Sequence, residues 1–400
     1  MSGPYTVGVE EEYQVVDPES GGLRDGAQEV LAADWTDAVR AEIHRSTIEV
    51  ASSVCASATE MAEELARMRT AAAAVAASVG LGIAAAGLHP FSRWQGRQRT
   101  PGRRYEEIEQ RYGRLSQDEH NFGMHVHVGI PEDGDRIGIL NGVRAYLPHL
   151  LALSASSPFH EGADSGFSSF RMILWRRWPV SSVPPRFDSE REYTRFLELF
   201  LRSGALADKG TIYWSARLHG RYPTLELRVT DVCPRMEDAA AIVALCRALV
   251  AALAEGTLPC EPPAGLSASV EREVIATNEW RAARWGVKAE LVDAEQDGPR
   301  PLRDSLRELV ERVGPTAERL GDGELLEGIE VVLRRGNGAD RLRALMAEGH
   351  SLADAAHWLR AETLLGTAVD RRAWQREGPG GGPAEAAERR PSGAGRREGS

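Results

Sequence analysis

Hydrophobic and polar residues alternate along four separate segments of the chain, and each segment therefore predicts a β-strand with two chemically different faces. In every segment one face is mostly apolar, while the other carries Glu, His, Thr or Arg. Antiparallel sheets accept such strands, because helices can cover the apolar face and leave the other open. The predicted strands run from Tyr5 to Val16, from Ser46 to Ala51, from Asn121 to Gly129 and from Pro223 to Asp231.

The first strand carries an acidic face. Gly8, Glu10, Glu12 and Gln14 share this face, whereas the opposite face is apolar except for Glu11. Two carboxylates two residues apart repel each other unless a cation lies between them. Their hard oxygen atoms suit Mg²⁺ or Mn²⁺. Taken alone, the pattern also fits a half-buried strand whose acidic face is simply solvated.

The other three strands carry matching polar groups, which favour the metal-binding interpretation. Carboxylates crowded together without a metal would raise one another's pKa values and cost stability. Because the groups are spread from residue 10 to residue 226, one domain is favoured over several. The matching groups are Thr47 and Glu49 in the second strand, His125 and His127 in the third, and Glu226 and Arg228 in the fourth.

Glu42 is a further candidate, but its position requires a bend in the chain. It lies seven residues before Glu49, so a regular strand would point the two carboxylates to opposite faces. Glu42 can therefore join the other ligands only if a bend or loop lies near it.

Helical periodicity fills most of the remaining chain. The apolar run from Ala71 to Leu88 is interrupted by Gly80 and Gly82, which favours a buried helix and a short strand over a membrane span. From about Gly378 the chain is rich in Gly, Pro, Arg and Glu, which predicts disorder. We therefore predict one domain at 1–365, followed at 366–400 by the end of the last helix and a disordered tail. Helices are predicted near 57–78, from 105, and at 136–157, 237–255, 271–285, 302–320, 325–335 and 351–365.

Composition excludes several classes of function. The 400 residues are 42% hydrophobic, which is ample for a large core, and the net charge is −11. An acidic chain is a poor candidate for binding nucleic acid or an anionic membrane. Lys209 and Lys288 are the only lysines and no GxxxxGK[ST] loop occurs, so anion sites must use Arg, metal or backbone N–H groups. The four cysteines lack CxxC spacing and no signal-peptide pattern is present, which together predict a cytoplasmic protein with reduced thiols.

The motifs together resemble the carboxylate–amine ligases of the glutamate–cysteine ligase type 2 family. Each motif alone is weakly specific, but the full set in this order is highly specific, and the resemblance covers about residues 5–365. The matching segments are GVEEE (8–12), RSTIEV (45–50), GMHVHVG (123–129), SPF (157–159), LWRRWP (174–179), TLELRVTD (224–231), NEWRAAR (278–284) and RGNGA (335–339).

The resemblance implies an α+β fold of the glutamine synthetase type. In that fold a curved, mainly antiparallel sheet carries the active site on its concave face, with helices on the outside. It also implies that Arg228 and Glu226 are catalytic, and that Arg228 and His127 contact the nucleotide. Bound Mg²⁺ or Mn²⁺ would hold the phosphates of ATP. The implied metal ligands are Glu10, Glu12, Glu49, His125, Glu226 and, with the bend described above, Glu42; the implied substrate residues are Arg171, Arg177 and His160.

The implied reaction is ATP-dependent amide formation between a carboxylic acid and an amine through an acyl phosphate. Glutamate and cysteine are the substrates that name the family, but members of this branch are often weak glutamate–cysteine ligases. His160 stands where relatives tend to have Trp, which leaves the substrate open. Two other classes also fit the residues: a metal-dependent hydrolase that uses no nucleotide, and a catalytically silent ATP-binding protein. Self-association is left open.

Overall fold

A seven-stranded antiparallel sheet forms the centre of the fold, and the first strand lies near its middle. The computed structural model describes residues 4–117, 120–261, 266–294 and 298–366. The strands in these ranges are β1 (Val7–Val16), β2 (Val39–Ala41), β3 (Thr47–Ala51), β4 (Gly82–Ala84), β5 (Met124–Gly129), β6 (Phe159–His160), β7 (Ala163–Asp164), β8 (Ser181–Ser182), β9 (Tyr213–Trp214), β10 (Ala216–Leu218), β11 (Thr224–Leu227), β12 (Glu290–Val292) and β13 (Pro299–Pro301).

The strand order of the large sheet is β10-β11-β5-β1-β3-β2, and β4 pairs with the end of β1 beside β5. All pairs within this sheet are antiparallel, as the alternating faces predict. The four predicted strands correspond to β1, β3, β5 and β11. The last of these ends earlier than predicted, at Leu227. Beyond it the pairing is irregular but continues: the N–H of Arg228 donates to the carbonyl of Ser215 at 2.8 Å, the N–H of Met124 donates to the carbonyl of Thr230 at 3.1 Å, and Asp231 forms a bridge with Gly123.

Helices surround this sheet and occupy most of the second half of the chain. They are α1 (Ala27–Ala33), α2 (Ala58–Ser78), α3 (Arg103–Tyr112), α4 (Arg136–Val143), α5 (Leu147–Ser154), α6 (Phe170–Trp175), α7 (Glu190–Arg202), α8 (Met236–Ala254), α9 (Ala268–Trp285), α10 (Leu302–Leu320), α11 (Gly323–Leu326), α12 (Gly328–Arg335), α13 (Gly338–Ala347) and α14 (Leu352–Leu364).

Serine side chains define where several helices begin. The hydroxyl groups of Ser57, Ser189 and Ser267 accept hydrogen bonds from backbone N–H groups in the first turns of α2, α7 and α9. Ser351 and Asp354 form a reciprocal capping box at the start of α14. These caps satisfy N–H groups that have no partner inside their own helix.

The apolar face of the sheet packs against α2 and α8, which also contact each other. Val7, Val9 and Tyr13 are buried on this face. Glu11, the one acidic residue there, is fully buried and forms an ion pair with Arg69 of α2 at 2.5 Å. This pairing explains how a carboxylate is tolerated inside the core.

One predicted helix differs from the structure in a way that has a clear cause. The apolar pattern at 136–157 is continuous, but a 3₁₀ turn at Arg144–Tyr146 divides it into α4 and α5. Pro148 lies in the first turn of α5, where its missing N–H costs nothing and its fixed φ angle favours a new helix start.

The described chain ends at residue 366, two residues after α14. The disordered tail predicted from about Gly378 therefore lies outside the described residues. Within the described ranges, no helix combines the length and the hydrophobicity that crossing a bilayer requires. The four cysteines are free thiols, and three of them are buried.

Candidate active site

Strand register brings the predicted polar residues together on the sheet. Glu10 lies opposite His125 on β5, and Glu12 lies opposite Glu49 on β3. One strand further along, His127 lies opposite Glu226 on β11. The acidic face of β1 therefore lies between the polar residues of its two neighbours.

Three of the predicted residues form a first ligand group, Glu10, His127 and Glu226, whose ligand atoms lie within 4.8 Å of one another. His125 adjoins this group, with its Nδ1 atom 3.2 Å from Oε2 of Glu10. Nε2 of His127 is 3.7 Å from Oε1 of Glu10, and it is buried without a hydrogen-bond partner among the residues that the structure describes. A buried imidazole nitrogen without a partner leaves one position open for a metal ion or a ligand.

A second ligand group consists of Glu12, Glu42 and Glu49, whose oxygen atoms also lie within 4.8 Å of one another. Glu42 follows the last residue of β2, and the chain turns there before β3 begins at Thr47. The backbone N–H of Ile43 donates to Oε2 of Glu42 at 2.8 Å and helps to fix the carboxylate. The structure thus contains the bend that Glu42 needs to reach the other ligands.

Electrostatic conditions are unfavourable for the second ligand group without a cation. Burial, and then the charge of Glu42, raises the pKa of Glu12 to about 7. Burial and the charges of Glu42, Glu10 and Glu12 raise the pKa of Glu49 to about 9. Burial also raises the pKa of Glu42. Oxygen ligands that repel one another in this way fit a hard divalent cation.

The first ligand group has the opposite character, because cationic and hydrogen-bonding neighbours stabilise its carboxylates. Burial acts to raise the pKa of Glu10, but its hydrogen bond with His125 and the nearby imidazole of His127 outweigh burial and lower that pKa. Burial also acts to raise the pKa of Glu226, but the charges of Arg228 and Arg217 outweigh burial and lower that pKa. Burial and the charge of Arg228 lower the pKa of His125 to about 4, which keeps the imidazole neutral and able to bind a metal.

Two arginines hold Glu226. Nε of Arg217 donates to Oε2 at 2.7 Å and Nη2 of Arg217 donates to Oε1 at 3.0 Å, while Arg228 donates from Nη1 to Oε1. Arg217 lies opposite Glu226 in the register of β10 and β11. Sequence reasoning missed Arg217, because β10 is only three residues long and its apolar–Arg–apolar pattern is too short to indicate a strand.

The predicted substrate residues occupy different environments. Arg171 is 1% exposed, and its guanidinium carbon lies 5.6 Å from the ring centre of Trp175, as does that of Arg228. Arg177 is exposed, and its Nε donates to the carbonyl oxygen of Leu174 at 3.1 Å. His160 lies in the β6–β7 hairpin, with its ring 5.1 Å from that of Phe170. Arg177 and His160 belong to neither ligand group, so their substrate roles stay predictions.

Comparison with known proteins identifies relatives over nearly the whole chain. A protein from Roseiflexus castenholzii, provisionally described as glutamate–cysteine ligase 2, is 36% identical over 373 residues, which cover 92% of this chain and 96% of the relative. A protein from Frankia alni, provisionally described as glutamate–cysteine ligase 2-2, is 36% identical over 379 residues, with coverage of 90% and 97%.

Solved structures show the same fold at low sequence identity. The glutamate–cysteine ligase from Francisella tularensis in complex with AMP has a TM-score of 0.68 and 14% identity, with 90% of this chain and 88% of that chain covered. A bifunctional glutathione synthetase from Pasteurella multocida has a TM-score of 0.64 and 15% identity, with 90% and 52% covered. Finally, the model of the family described as glutamate-cysteine ligase family 2 matches residues 6–357. The chain therefore belongs to glutamate-cysteine ligase family 2.

Proposed function

We propose that the protein is an ATP-dependent ligase that joins a carboxylic acid to an amine, with glutamate and cysteine as the first pair to test. One observation carries this proposal. Both ligand groups and Arg228 lie on the same sheet, in a chain that belongs to glutamate-cysteine ligase family 2. The names of the curated relatives and the AMP bound to the Francisella tularensis enzyme support the same class of reaction and ligand.

The donor set fits divalent cations. Crowded carboxylates with raised pKa values lie in one group, and a buried imidazole nitrogen without a partner lies in the other. Bound Mg²⁺ or Mn²⁺ would supply positive charge that binds the phosphates of ATP and neutralises the transferring group. The residues that would hold the metal are Glu10, Glu12, Glu42, Glu49, His125, His127 and Glu226.

The protein's own side chains would then orient and stabilise the reacting groups. Arg228 faces the first ligand group and stabilises negative charge on the transferring phosphoryl group. Glu226 accepts hydrogen bonds from both Arg217 and Arg228. Arg217 therefore fixes the Glu226 carboxylate, and Glu226 in turn holds Arg228 in place. Trp175 lies against Arg228 and removes one side of the guanidinium from water, which strengthens its electrostatic effect.

The reaction would proceed in two steps. A carboxylate oxygen of the acid attacks the γ-phosphorus in line, and ADP leaves. The amine nitrogen then attacks the carbonyl carbon of the acyl phosphate, so that inorganic phosphate leaves and the amide forms. We place these steps on the open polar face of a glutamine-synthetase-like sheet.

The test begins with a phosphate-release screen over carboxylate–amine pairs with Mg²⁺ and ATP. An accepted acid is then labelled with ¹⁸O in its carboxylate, and the released phosphate is analysed by mass spectrometry. We expect one ¹⁸O atom in the phosphate per turnover and ADP as the nucleotide product. Unlabelled phosphate, or AMP, would rule out the acyl phosphate.

The same screen separates the ligase from the two other classes. A hydrolase would act without ATP, and a silent binding protein would release no phosphate with any pair. The ligase requires acid, amine and nucleotide together.

A further inference from the structure

Arg171 lies beside the ligand groups, in a space that is open because residue 123 is a glycine. A Cβ atom at Gly123 would lie 2.4 Å from Nη2 of Arg171 and 3.2 Å from Nε2 of His125. Trp175 lies near the same guanidinium, with the ring centre 5.6 Å from the guanidinium carbon. The guanidinium is therefore confined between an aromatic ring and the strand backbone, next to an implied metal ligand.

The charge of Arg171 is shared between two carboxylates, Asp231 and Glu12, and it acts to lower the pKa of each against the effect of burial. Its nearest ion-pair partner is Asp231, with Nη1 and Oδ1 separated by 3.6 Å, which is too long for a good hydrogen bond. Nε of Arg171 is buried and has no hydrogen-bond partner within the described part of the chain. Because a guanidinium carries five N–H donors, this arrangement leaves donors for an anion.

Asp231 is held in place by other donors. Its Oδ2 atom accepts from the backbone N–H of Ser156 at 3.0 Å and from the hydroxyl of Ser157 at 2.7 Å. Its Oδ1 atom accepts from the hydroxyl of Ser169 at 2.8 Å. A Cβ atom at Gly87 would lie 2.6 Å from Oδ2, so the carboxylate also has little space to move.

This network reaches the helix that carries Arg171. Ser169 is the N-cap of α6, and its side chain accepts from the backbone N–H of Met172 while it donates to Asp231. Ser157 Oγ accepts from the backbone N–H of Arg171 at 3.2 Å. Asp231 therefore holds the start of α6, and its fixed carboxylate faces Nη1 of Arg171 as a charge partner at 3.6 Å.

We propose that Asp231 is a positioning residue that holds Arg171 toward the oxyanion of a substrate without contacting that substrate. This inference rests on the proposed function, because it assigns Arg171 to one substrate of the ligase. The oxyanion is a carboxylate of the acid or the amine, since Arg228 is assigned to the phosphoryl group. A phosphate of ATP would be the other source of an oxyanion, and the kinetic test separates the two.

The first test is the variant Asp231→Asn. We expect the KM for the substrate whose carboxylate binds Arg171 to rise about 10- to 100-fold, the range typical of losing a residue that orients a binding group. The KM for ATP should stay unchanged and kcat should change less. A rise confined to the KM for ATP would overturn the assignment to a carboxylate.

A double-mutant cycle with Arg171→Ala separates positioning from general damage. If Asp231 acts through Arg171, then Asp231→Asn should add little to the KM defect of Arg171→Ala. Fully additive KM effects would overturn the proposal. Should Asp231→Asn fail to fold, Ser169→Ala removes one donor to Oδ1 together with the N-cap of α6, and a smaller rise in the same KM is expected.

Asp322→Asn is a matched control. Asp322 is fully buried, accepts from the backbone N–H of Ala58 at 3.0 Å and pairs with Arg247 at 2.6 Å, but it belongs to neither ligand group. We expect it to lower the melting temperature without changing any KM. If it raised the same KM as Asp231→Asn does, the effect would be general destabilisation and the positioning role would be wrong.

A structural measurement decides the inference even if no substrate pair is turned over. Crystal structures of the wild type and Asp231→Asn, grown in the same condition, should show that the Arg171 guanidinium moves by about 1 Å or more, the scale on which misplacement costs activity. An unmoved guanidinium would overturn the inference. A wild type that turns over no acid–amine pair would overturn the proposed function instead.

Discussion

Glu10 and Glu12 lie two residues apart on one strand face, yet their surroundings shift their pKa values in opposite directions. Glu10 contacts His125 at 3.2 Å and His127 at 3.7 Å, and these imidazoles outweigh its burial and lower its pKa. Glu12 is buried near the charge of Glu42, and its pKa rises to about 7. Without a cation, the protein therefore favours the ionised form of Glu10 and disfavours that of Glu12.

The two carboxylates should respond differently to neutralisation. We expect both Glu10→Gln and Glu12→Gln to abolish Mg²⁺-dependent ATP turnover, because each removes an implied metal ligand. In metal-free buffer, Glu12→Gln should keep or raise the melting temperature, whereas Glu10→Gln should lower it by removing the charge that His125 contacts. Phosphate release and differential scanning fluorimetry measure the two effects. Full activity in both variants would contradict the metal assignment.

Glu49 predicts a pH dependence with a definite sign. Its pKa rises from 4.5 to about 9 on folding, so between these values the folded state binds more protons than the unfolded state. The contribution of Glu49 to stability therefore falls as pH rises through this window. We expect the melting temperature of metal-free Glu49→Gln to exceed that of the wild type, and the difference should grow from pH 6.5 to pH 9.

Glu330→Gln is the control for this measurement. Glu330 lies on α12, is half-exposed and paired with Arg307, and a hydrogen bond from Arg307 lowers its pKa. Its titration lies below the window, so its effect on the melting temperature should not vary between pH 6.5 and pH 9. Addition of Mg²⁺ should also remove most of the difference between Glu49→Gln and the wild type. A difference in melting temperature that stays constant across this pH range would contradict the raised pKa of Glu49 in the second ligand group.

At the scale of elements, β1 and α2 are joined by a charged contact inside the core. Nε and Nη2 of Arg69 donate to the carboxylate of Glu11 at 2.9 Å and 2.5 Å, and its remaining donors reach the carbonyl oxygens of Cys233 and Pro234. Both side chains are fully buried. Removal of one partner leaves the other charge buried without compensation.

We expect Arg69→Met to lower the free energy of unfolding by about 3–5 kcal/mol, the usual effect of breaking a buried ion pair. Urea denaturation followed by circular dichroism measures the loss. Arg307→Met is the control, since its pair with Glu330 lies at the surface and should matter much less. A loss no greater than that of the control would show that the Arg69 contact is not needed for stability. The KM values of the folded variant should stay unchanged.

Local patterns predicted the four central strands and most of the long helices, but not α7, α13 or the contacts between elements. The alternation around Glu10, Glu49, His125 and Glu226 predicts four strands and their polar faces, because side-chain direction has a period of two residues. The register that places these residues together depends on pairing across the sheet, which no local pattern contains. Asp231 was predicted as part of the fourth strand, and its role near α6 became visible only with the surrounding serines.

At the scale of the whole molecule, the end of the described chain packs against its beginning. α14 contacts α2 and β4, and the hydroxyl of Thr363 accepts from the backbone N–H of Ala85 at 2.8 Å. Buried apolar residues from Tyr5 to Leu359 belong to one continuous core cluster. The core therefore joins elements from both ends of the described chain, and the domain bounds 1–365 stay a prediction.

We expect Leu359→Ala to cost about 2–5 kcal/mol, because Leu359 is fully buried and its truncation leaves a cavity. Tryptophan fluorescence and far-UV circular dichroism should report the same unfolding midpoint for this variant, as one cooperative domain requires. Separate midpoints would show that α14 belongs to a unit that unfolds independently. Leu199→Ala is the control, since Leu199 is 56% exposed on α7 and leaves no cavity.

The central position of β1 has a consequence for how the protein is made. During synthesis the N-terminal strand leaves the ribosome first, but its partners β3 and β5 come from residues 47–51 and 124–129, and Arg217 and Glu226 follow much later. Pairings of such long sequence separation fold slowly. Glu10 and Glu12 are therefore synthesised long before Arg217 and Glu226, and the acidic face of β1 lacks the residues of β10 and β11 until those strands have been made.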